Sequence, residues 1–180
     1  SHTGNGANDT NEFVELDTGL AAAVDLTGYA VLFVSGDTPT TYDDIPAIAL
    51  GMSAANGRYV IGNPGVSGVR ATFPSRSLGE SSGVHGVLVV QSDDLPVAGT
   101  ALSTIDAPII DAIAYSKSSA SQNAALLTRC FPSAAGRAQG DESASGSSAT
   151  AALARCQAAR RDGRVFTAFA PTPGLANGCP

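Results

Sequence analysis

The 180-residue sequence has no tryptophan, one methionine and few aromatic residues, which make up only 6% of the chain. Because hydrophobic residues still make up 43%, a core must be built mainly from valine, isoleucine, leucine and alanine. Such side chains suit the pleated, half-buried surface of a sheet. The composition therefore predicts a β-rich protein. The length fits one domain, since a single β-sandwich can exceed ~200 residues.

The chain also lacks any run of ~20 apolar residues, the length that spans a bilayer as a helix. It does not open with a basic segment followed by an apolar one, so we expect any secretion signal to have been removed. Membrane insertion is not expected. Asn8 begins an N-x-T acceptor pattern for glycosylation. Together with paired cysteines, this pattern favours a secreted glycoprotein in an oxidising, extracellular compartment.

Histidine is scarce, since His2 and His85 are the only two in the chain. A serine hydrolase needs a nucleophile, a general base and an orienting acid, and neither histidine stands near a G-x-S-x-G sequence. The histidines and cysteines also lack the close C-x-x-C or H-x-x-x-H spacings of zinc sites. We therefore predict that the protein is not an enzyme. A metal-dependent hydrolase with an unfamiliar site is the least favoured alternative.

Oxygen ligands for calcium form a weaker pattern. Asp37, Asp43 and Asp44 share one predicted loop, and calcium accepts oxygen ligands at irregular spacing. The D-x-D-x-D-G pattern of a calcium loop is absent. We therefore expect no cofactor, and solvated loop acids are favoured over a calcium site at these three residues.

Basic residues are fewer than acidic ones, 10 against 16, and the formal net charge is −6. Binding of nucleic acid over the whole surface is not expected, because phosphate contacts need clustered cations. Residues 129–180 nevertheless hold six arginines against three acids. The arginines are either solvated or paired with nearby acids, or they contact a polyanion with Phe166 or Phe169 stacked beside them. Placement of these two phenylalanines in the core is favoured over such stacking. The candidate contacts are Arg155, Arg160, Arg161 and Arg164.

Three cysteines allow three possible single bridges and leave one thiol over. Cys156 and Cys179 flank the last predicted strand, and Cys179 lies in a tail that would otherwise fray. We predict a bridge between these two, closing a loop of about two dozen residues. The third cysteine, Cys130, is left as a free or intermolecular thiol. It is buried and inert, competes for Cys156, or links to another chain.

Short segments with strand character recur along the chain, each bounded by Gly, Pro, Asn or Asp. They are residues 13–16, 29–34, 48–50, 58–61, 69–73, 84–90, 109–115, 150–156 and 165–169. Residues 13–16 suggest an edge strand with Glu15 facing water. The nearly all-apolar residues 29–34 predict a strand buried on both faces. Short strands at this spacing are typical of a sandwich or barrel.

The remaining segments lack strand character and have other sequence patterns. Alanine and leucine recur at helical spacing over residues 119–129, and Pro132 follows, which predicts one short helix across one end of the sandwich. Residues 133–150 are rich in Ser, Ala and Gly and predict a long mobile loop. Residues 1–10 are polar and predict a flexible lead-in, so that residues 11–180 form a single domain.

Several motifs occur in a fixed order along the chain. They are N-E-F-V-E-L at residues 11–16, V-D-L-T-G-Y at 24–29, G-R-Y-V-I-G-N at 57–63, I-D-A-I-A-Y at 110–115, R-C at 155–156 and P-T-P-G-L-A-N-G-C at 171–179. The series resembles the secreted form of the lamin-tail domain superfamily over nearly the whole chain. The resemblance implies an all-β, immunoglobulin-like β-sandwich that acts as a non-catalytic module. The G-V-H-G sequence at residues 83–86 departs from the turn usual at that point in the family.

Two functions are therefore expected from different classes. The first is a non-catalytic extracellular structural or adhesive module, such as a subunit of a matrix, sheath or filament, whose partners are proteins or further copies of itself. The second is an accessory domain of a secreted nuclease or phosphoesterase, which would bind nucleic acid or glycans through the four arginines named above. The acidic, small-residue-rich composition and the leftover cysteine favour the first.

Overall fold

The computed structural model describes residues 11–35, 40–41, 45–73, 78, 84–116, 123–141 and 152–179, and the statements below refer to these residues. Strands dominate, with one α-helix, α1 (Ala124–Cys130), and short 3-10 helices at Leu102–Thr104, Ala134–Gly136 and Gly163–Val165. The strands are β1 (Phe13–Asp17), β2 (Tyr29–Ser35), β3 (Thr40–Thr41), β4 (Ile48–Ala49), β5 (Arg58–Gly62), β6 (Val69–Thr72), β7 (His85–Gln91), β8 (Ile109–Ser116), β9 (Gly140–Asp141), β10 (Ala152–Arg155) and β11 (Phe166–Phe169).

The strands form three sheets. The central sheet has the order β3-β2-β7-β8-β9, with β4 also paired to β2. Its long strands β2, β7 and β8 are antiparallel, whereas β8 and β9 are parallel. A second sheet has the order β1-β5-β6, and a third consists of β10 and β11. The prediction of a β-rich chain built from short strands is thus confirmed.

The central sheet is buried on both faces. Along β2, residues 30–34 are at most 1% exposed, and successive side chains alternate between two apolar clusters, as the period of a strand requires. Val31 and Phe33 join a cluster that includes Val14, Ile61 and Leu153 from the two smaller sheets. Those sheets therefore cover the same face of the central sheet, which is the layered arrangement of a sandwich.

Helix α1 covers the opposite face of the central sheet. Leu126, Leu127 and Cys130 pack in a cluster with alternate residues of β2, β7 and β8. The approach is close, because a Cβ built on Gly86 of β7 would lie 3.1 Å from Leu126 Cδ1. The helix begins where Asn123 accepts a hydrogen bond from the Leu126 amide at 3.0 Å. The prediction of a helix at one end of the sandwich was therefore wrong in its placement.

The segment predicted as a long loop is partly ordered. Its first part contains the 3-10 helix Ala134–Gly136 and the strand β9, which extends the central sheet by pairing with Tyr115 and Ser116. Residues 142–150 lie outside the described residues, as do the proposed lead-in 1–10 and most of the polar loop around Asp43. Within the described ranges, no helix has the length and hydropathy needed to cross a bilayer.

A candidate binding cleft between two small sheets

A cleft of about 440 Å³ lies between β1 and β10. The two strands belong to different sheets that cover one face of the central sheet, so the space between them has the central sheet as its floor. Apolar side chains from all three sheets and the loop after β1 line it: Leu16, Leu26, Tyr29, Val89, Ile113 and Leu153. A concave, mainly apolar space of this size is typical of small-molecule sites.

The cleft is narrow at one end and open at the other. Phe13 at the start of β1 and Ala152 at the start of β10 belong to one buried cluster, so the walls meet there. Beyond the other ends of these strands lie Leu20, which is 57% exposed, and Arg160, which is also exposed. The mouth, at Leu20 and Arg160, is therefore accessible to solvent, while the inner end lies beside packed side chains.

The chain after β11 borders the cleft. Thr172 and Asn177 of this tail line the space. The tail is attached to β1, because the Gly174 amide donates to Glu15 Oε2 at 2.6 Å. It is attached to β10 by the Cys156–Cys179 disulfide, which confirms the predicted pairing, with 5.4 Å between the Cα atoms. The Arg155 carbonyl also accepts a hydrogen bond from Asn177 Nδ2. The tail thus spans both walls.

Glu15 does not face bulk water as predicted. Its side chain is only 9% exposed, and its carboxylate lies 3.4 Å from Arg58 Nε. Burial raises the pKa of the Glu15 carboxyl above its ordinary value, although the Gly174 amide and Arg58 act in the opposite direction. Local sequence could not predict this burial, because Gly174, whose amide contacts Glu15, lies 159 positions further along the chain.

Arg155 was predicted to contact a polyanion, but its charge is used within the protein. Both terminal guanidinium nitrogens donate to Asp111 of β8, at 2.6 Å each, and the guanidinium lies 4.9 Å from the ring centroid of Phe166. Phe166 in turn packs on the core beneath it. Bidentate pairs of this kind are among the strongest hydrogen-bonded contacts in proteins. Arg155 is therefore part of a wall of the cleft.

Arg161 also has a structural role. Its backbone amide donates to Asp111 Oδ1 at 3.0 Å. Its guanidinium donates to the carbonyls of Cys130 and Arg129 at 2.8 and 2.6 Å. These carbonyls belong to the last turn of α1, where helices leave acceptors without an internal partner. Arg161 therefore connects the end of α1 to Asp111 of the central sheet.

The other two candidate arginines are exposed. Arg164 is held by Asp162, and the hydrogen bonds from the Arg164 side chain and amide lower the pKa of the Asp162 carboxyl to about 2. Arg160 lines the mouth of the cleft and makes no hydrogen bond or ion pair with another described residue. The structure thus does not bring the four arginines together as one free cationic surface.

Cys130 is fully buried in the cluster beneath α1, with 0% exposure, and it forms no disulfide. Burial raises the pKa of its thiol to about 12, against the opposing effect of Arg161 and Arg129. Of the three alternatives for this residue, the geometry matches the buried thiol. It neither competes for Cys156 nor lies where another chain could reach it.

Among the histidines and loop acids considered for chemistry, His85 is the one that lies within the described residues. His85 is buried, 5.9 Å from the ring of Tyr115. Asn8, Asp37, Asp43 and Asp44 lie outside the described residues. In the part of the chain that is described, no three histidine, cysteine or acidic side chains converge to hold a metal.

Asp111 was not singled out as a site residue, although it connects two arginines to the central sheet. A signal was available, because it is the one acid in the apolar segment at residues 109–115, and a charge in a buried strand needs a partner.

Comparisons with models of protein families, with curated proteins and with solved structures found no match. Over the described residues, the structure defines a β-rich protein with one α-helix, one disulfide and an open apolar cleft.

Proposed function

We propose that the chain is a non-catalytic, secreted structural or adhesive module, a subunit of an extracellular matrix, sheath or filament. In this proposal it is an immunoglobulin-like sandwich of the lamin-tail type that associates with other proteins or with copies of itself. The strand motifs support the family proposal, since they fall on β1, β5 and β8 and on the disulfide-linked tail. The disulfide also fits an oxidising compartment.

The observation that carries the proposal is the attachment of the tail to the first strand. The Gly174 amide binds Glu15 of β1, the Gly174 carbonyl accepts from Asn56 Nδ2 at 3.1 Å, and Cys179 is bonded to Cys156. The tail is therefore held to the end of β10 by a covalent bond, and to β1 and the turn before β5 by one part-buried and one exposed hydrogen bond. A module that carries load between neighbours benefits from such attachment, because the first and last segments of a domain are poorly ordered unless they are tied down.

Because Cys130 is buried, cross-linking through its thiol cannot be used as support for this function. Its thiol is 0% exposed beneath α1, so a bond to another chain would require the helix to leave the central sheet. Assembly must then be non-covalent. Reducing and non-reducing gels should show the same monomeric band.

The test of the proposal is association in solution and on surfaces. Sedimentation velocity over a wide concentration range and negative-stain electron microscopy should reveal ordered, concentration-dependent assemblies. The Cys156→Ser/Cys179→Ser variant is a matched comparison, because it releases the tail from β10 and should weaken assembly. A chain that stays monomeric at every concentration and adheres to no matrix protein would contradict the structural role.

The alternative, an accessory domain for nucleic acid or glycans, has weaker geometric support. Arg155 and Arg164 are paired with acids, and Arg161 is bound to the helix carbonyls. Of the four candidate arginines, Arg160 alone is left to contact a polyanion, and salt would screen a contact at this exposed residue. Titration of DNA and heparin binding against salt tests this alternative, because phosphate contacts lose affinity steeply as salt rises. An affinity that falls with salt, with a slope that is smaller by about one in Arg160→Gln, would favour it over the structural role.

A further inference from the structure

We propose that the cleft between β1 and β10 binds an unbranched aliphatic carboxylate, with the hydrocarbon chain inside and the carboxylate at Arg160. This assignment goes beyond the structural role proposed above and does not depend on it, since a ligand can occupy the cleft whether or not the module assembles.

The charges around the cleft leave one cation for a ligand. Arg155 is neutralised by the two hydrogen bonds to Asp111. Arg160 has no partner among the described residues and is exposed at the mouth. It can therefore pair with an anion without breaking an existing contact.

The acids at the mouth are already engaged. Asp17 is paired with Arg58 at 3.2 Å. Asp25 accepts from the hydroxyl and the amide of Thr27, at 2.6 and 2.9 Å, and these bonds lower its pKa. Asp111 holds Arg155. Among the described residues that line the mouth, Arg160 is thus the cation without an acidic partner, and it is complementary to a carboxylate. Asp25 contacts only uncharged groups of Thr27 and keeps its negative charge.

The shape favours a slender chain over a bulky ligand. The space is about 440 Å³, and its inner end is bordered by the buried cluster that contains Phe13 and Ala152. Its floor is apolar, formed by Val89 and Ile113 among others. A molecule that enters from the mouth must place its apolar end innermost and its charged end beside Arg160. An amphiphile with one terminal charge meets both conditions.

A peptide strand fits the same space less well. In the β1–β5 ladder the even-numbered residues face β5, because Thr18 and Glu12 bond to Gly57 and Asn63. Glu15 and Asp17 therefore point their backbone groups toward the cleft. The opposite wall is less able to complete a sheet, since the Arg155 carbonyl already accepts from Asn177 Nδ2. An inserted strand would pair mainly on one side.

The experiment compares ligands that differ in head group and length. Isothermal titration calorimetry with hexanoate, octanoate and decanoate should show affinity rising roughly fourfold per added methylene until the cleft is full. Decanol should bind more weakly than decanoate, and decylamine more weakly still. The Arg160→Gln variant should lose roughly fivefold in decanoate affinity, in a salt-dependent way, and nothing in decanol affinity.

The matched control is Arg70→Gln, which removes an exposed arginine on β6 outside the cleft and should bind decanoate as the unaltered protein does. A Val89→Phe variant, which fills the floor, should abolish binding. Because that variant could fail to fold, amide chemical shifts of the unaltered protein supply an independent measurement. Decanoate should perturb Leu16, Val89 and Ile113 and leave residues on the helix face unchanged.

Several results would overturn the assignment. Equal binding of decanoate and decylamine would remove the role of Arg160, and perturbations confined to the helix face would place the site elsewhere. An extended, valine-rich peptide that perturbs the Glu15 and Asp17 amides, while decanoate does not, would make the cleft a strand-pairing site. None of these results bears on assembly, which is measured without ligand, so the two proposals can fail separately.

Discussion

Asp111 and Arg155 form a two-pronged ion pair, with both terminal guanidinium nitrogens 2.6 Å from the carboxylate oxygens. The residues are 44 positions apart and lie on different sheets. Their side chains are about one-quarter exposed, 25% for Arg155 and 24% for Asp111. The pair therefore fixes β10 over the central sheet at the open end of the cleft, in surroundings drier than an ordinary surface ion pair.

Replacing one partner should destabilise the protein. For Asp111→Asn we expect a loss of about 1–3 kcal/mol in the free energy of unfolding, because Arg155 and the Arg161 amide lose their charged acceptor. Arg155→Gln should cost a similar amount, and the double variant should cost less than the sum. Urea denaturation of the four proteins gives the coupling energy. Strict additivity would mean that the pair contributes nothing to folding.

The thiol of Cys130 should be inert in the folded protein. Its pKa of about 12, against an ordinary 9.0, lowers the thiolate fraction roughly a thousandfold, and the thiolate is the reactive form. Iodoacetamide should therefore leave the native protein unmodified at pH 8 and label one thiol in denaturant, as mass spectrometry can count. Rapid labelling under native conditions would mean that α1 opens readily from the sheet.

The Cys156–Cys179 bond closes a loop with a sequence separation of 23. Its removal in the Cys156→Ser/Cys179→Ser variant should lower the free energy of unfolding by about 3 kcal/mol, mainly through the entropy of the unfolded chain. Denaturation with and without reductant provides the control, since reductant should destabilise the unaltered protein and leave the variant unchanged. A variant as stable as the oxidised parent would show that the tail is held by its hydrogen bonds alone.

The raised pKa of the Glu15 carboxyl predicts that the stability of the protein depends on pH. Its folded pKa lies above the ordinary 4.5, so the folded state binds the proton more tightly than the unfolded state. The contribution of Glu15 to stability is therefore fully present below about pH 4.5 and declines as pH rises through the folded pKa. Glu15→Gln keeps an acceptor for the Gly174 amide and removes this decline.

Thermal melts of both proteins from pH 4 to pH 7 measure this difference. The two should have similar stability at pH 4, and the variant should gain relative to the unaltered protein as pH rises. Asp94→Asn, an exposed loop change with no side-chain partner, is the control and should show no such trend. A steady loss of stability in Glu15→Gln toward neutral pH would mean that the ion pair with Arg58 outweighs burial.

Local pattern was sufficient to predict most strands. The apolar residues 29–34 became β2, buried on both faces, and the short segments at 58–61 and 109–115 became β5 and β8. Alternation and turn residues act over a few positions, so a single sequence contains that information. The short strands β3 and β9 were missed, because two-residue pairings depend on a neighbouring strand and not on their own composition.

The cleft could not be predicted in the same way. It exists because β1 pairs with β5 and β10 with β11, which leaves two small sheets side by side on one face. The roles of Arg155 and Arg161 depend on Asp111, at a distance of 44 and 50 residues along the chain. Contacts of that range arise from strand order, which local pattern does not determine, so a count of arginines suggested a cationic surface that the fold uses internally.

The tail that borders the cleft is anchored at its far end by a single sulfur–sulfur bond. The dimensions of the cleft are therefore linked to the redox conditions around the protein. Where glutathione keeps thiols reduced, Thr172 and Asn177 would lose their covalent tether and the opening would widen. The same polypeptide would then hold a guest less firmly inside a cell than outside it.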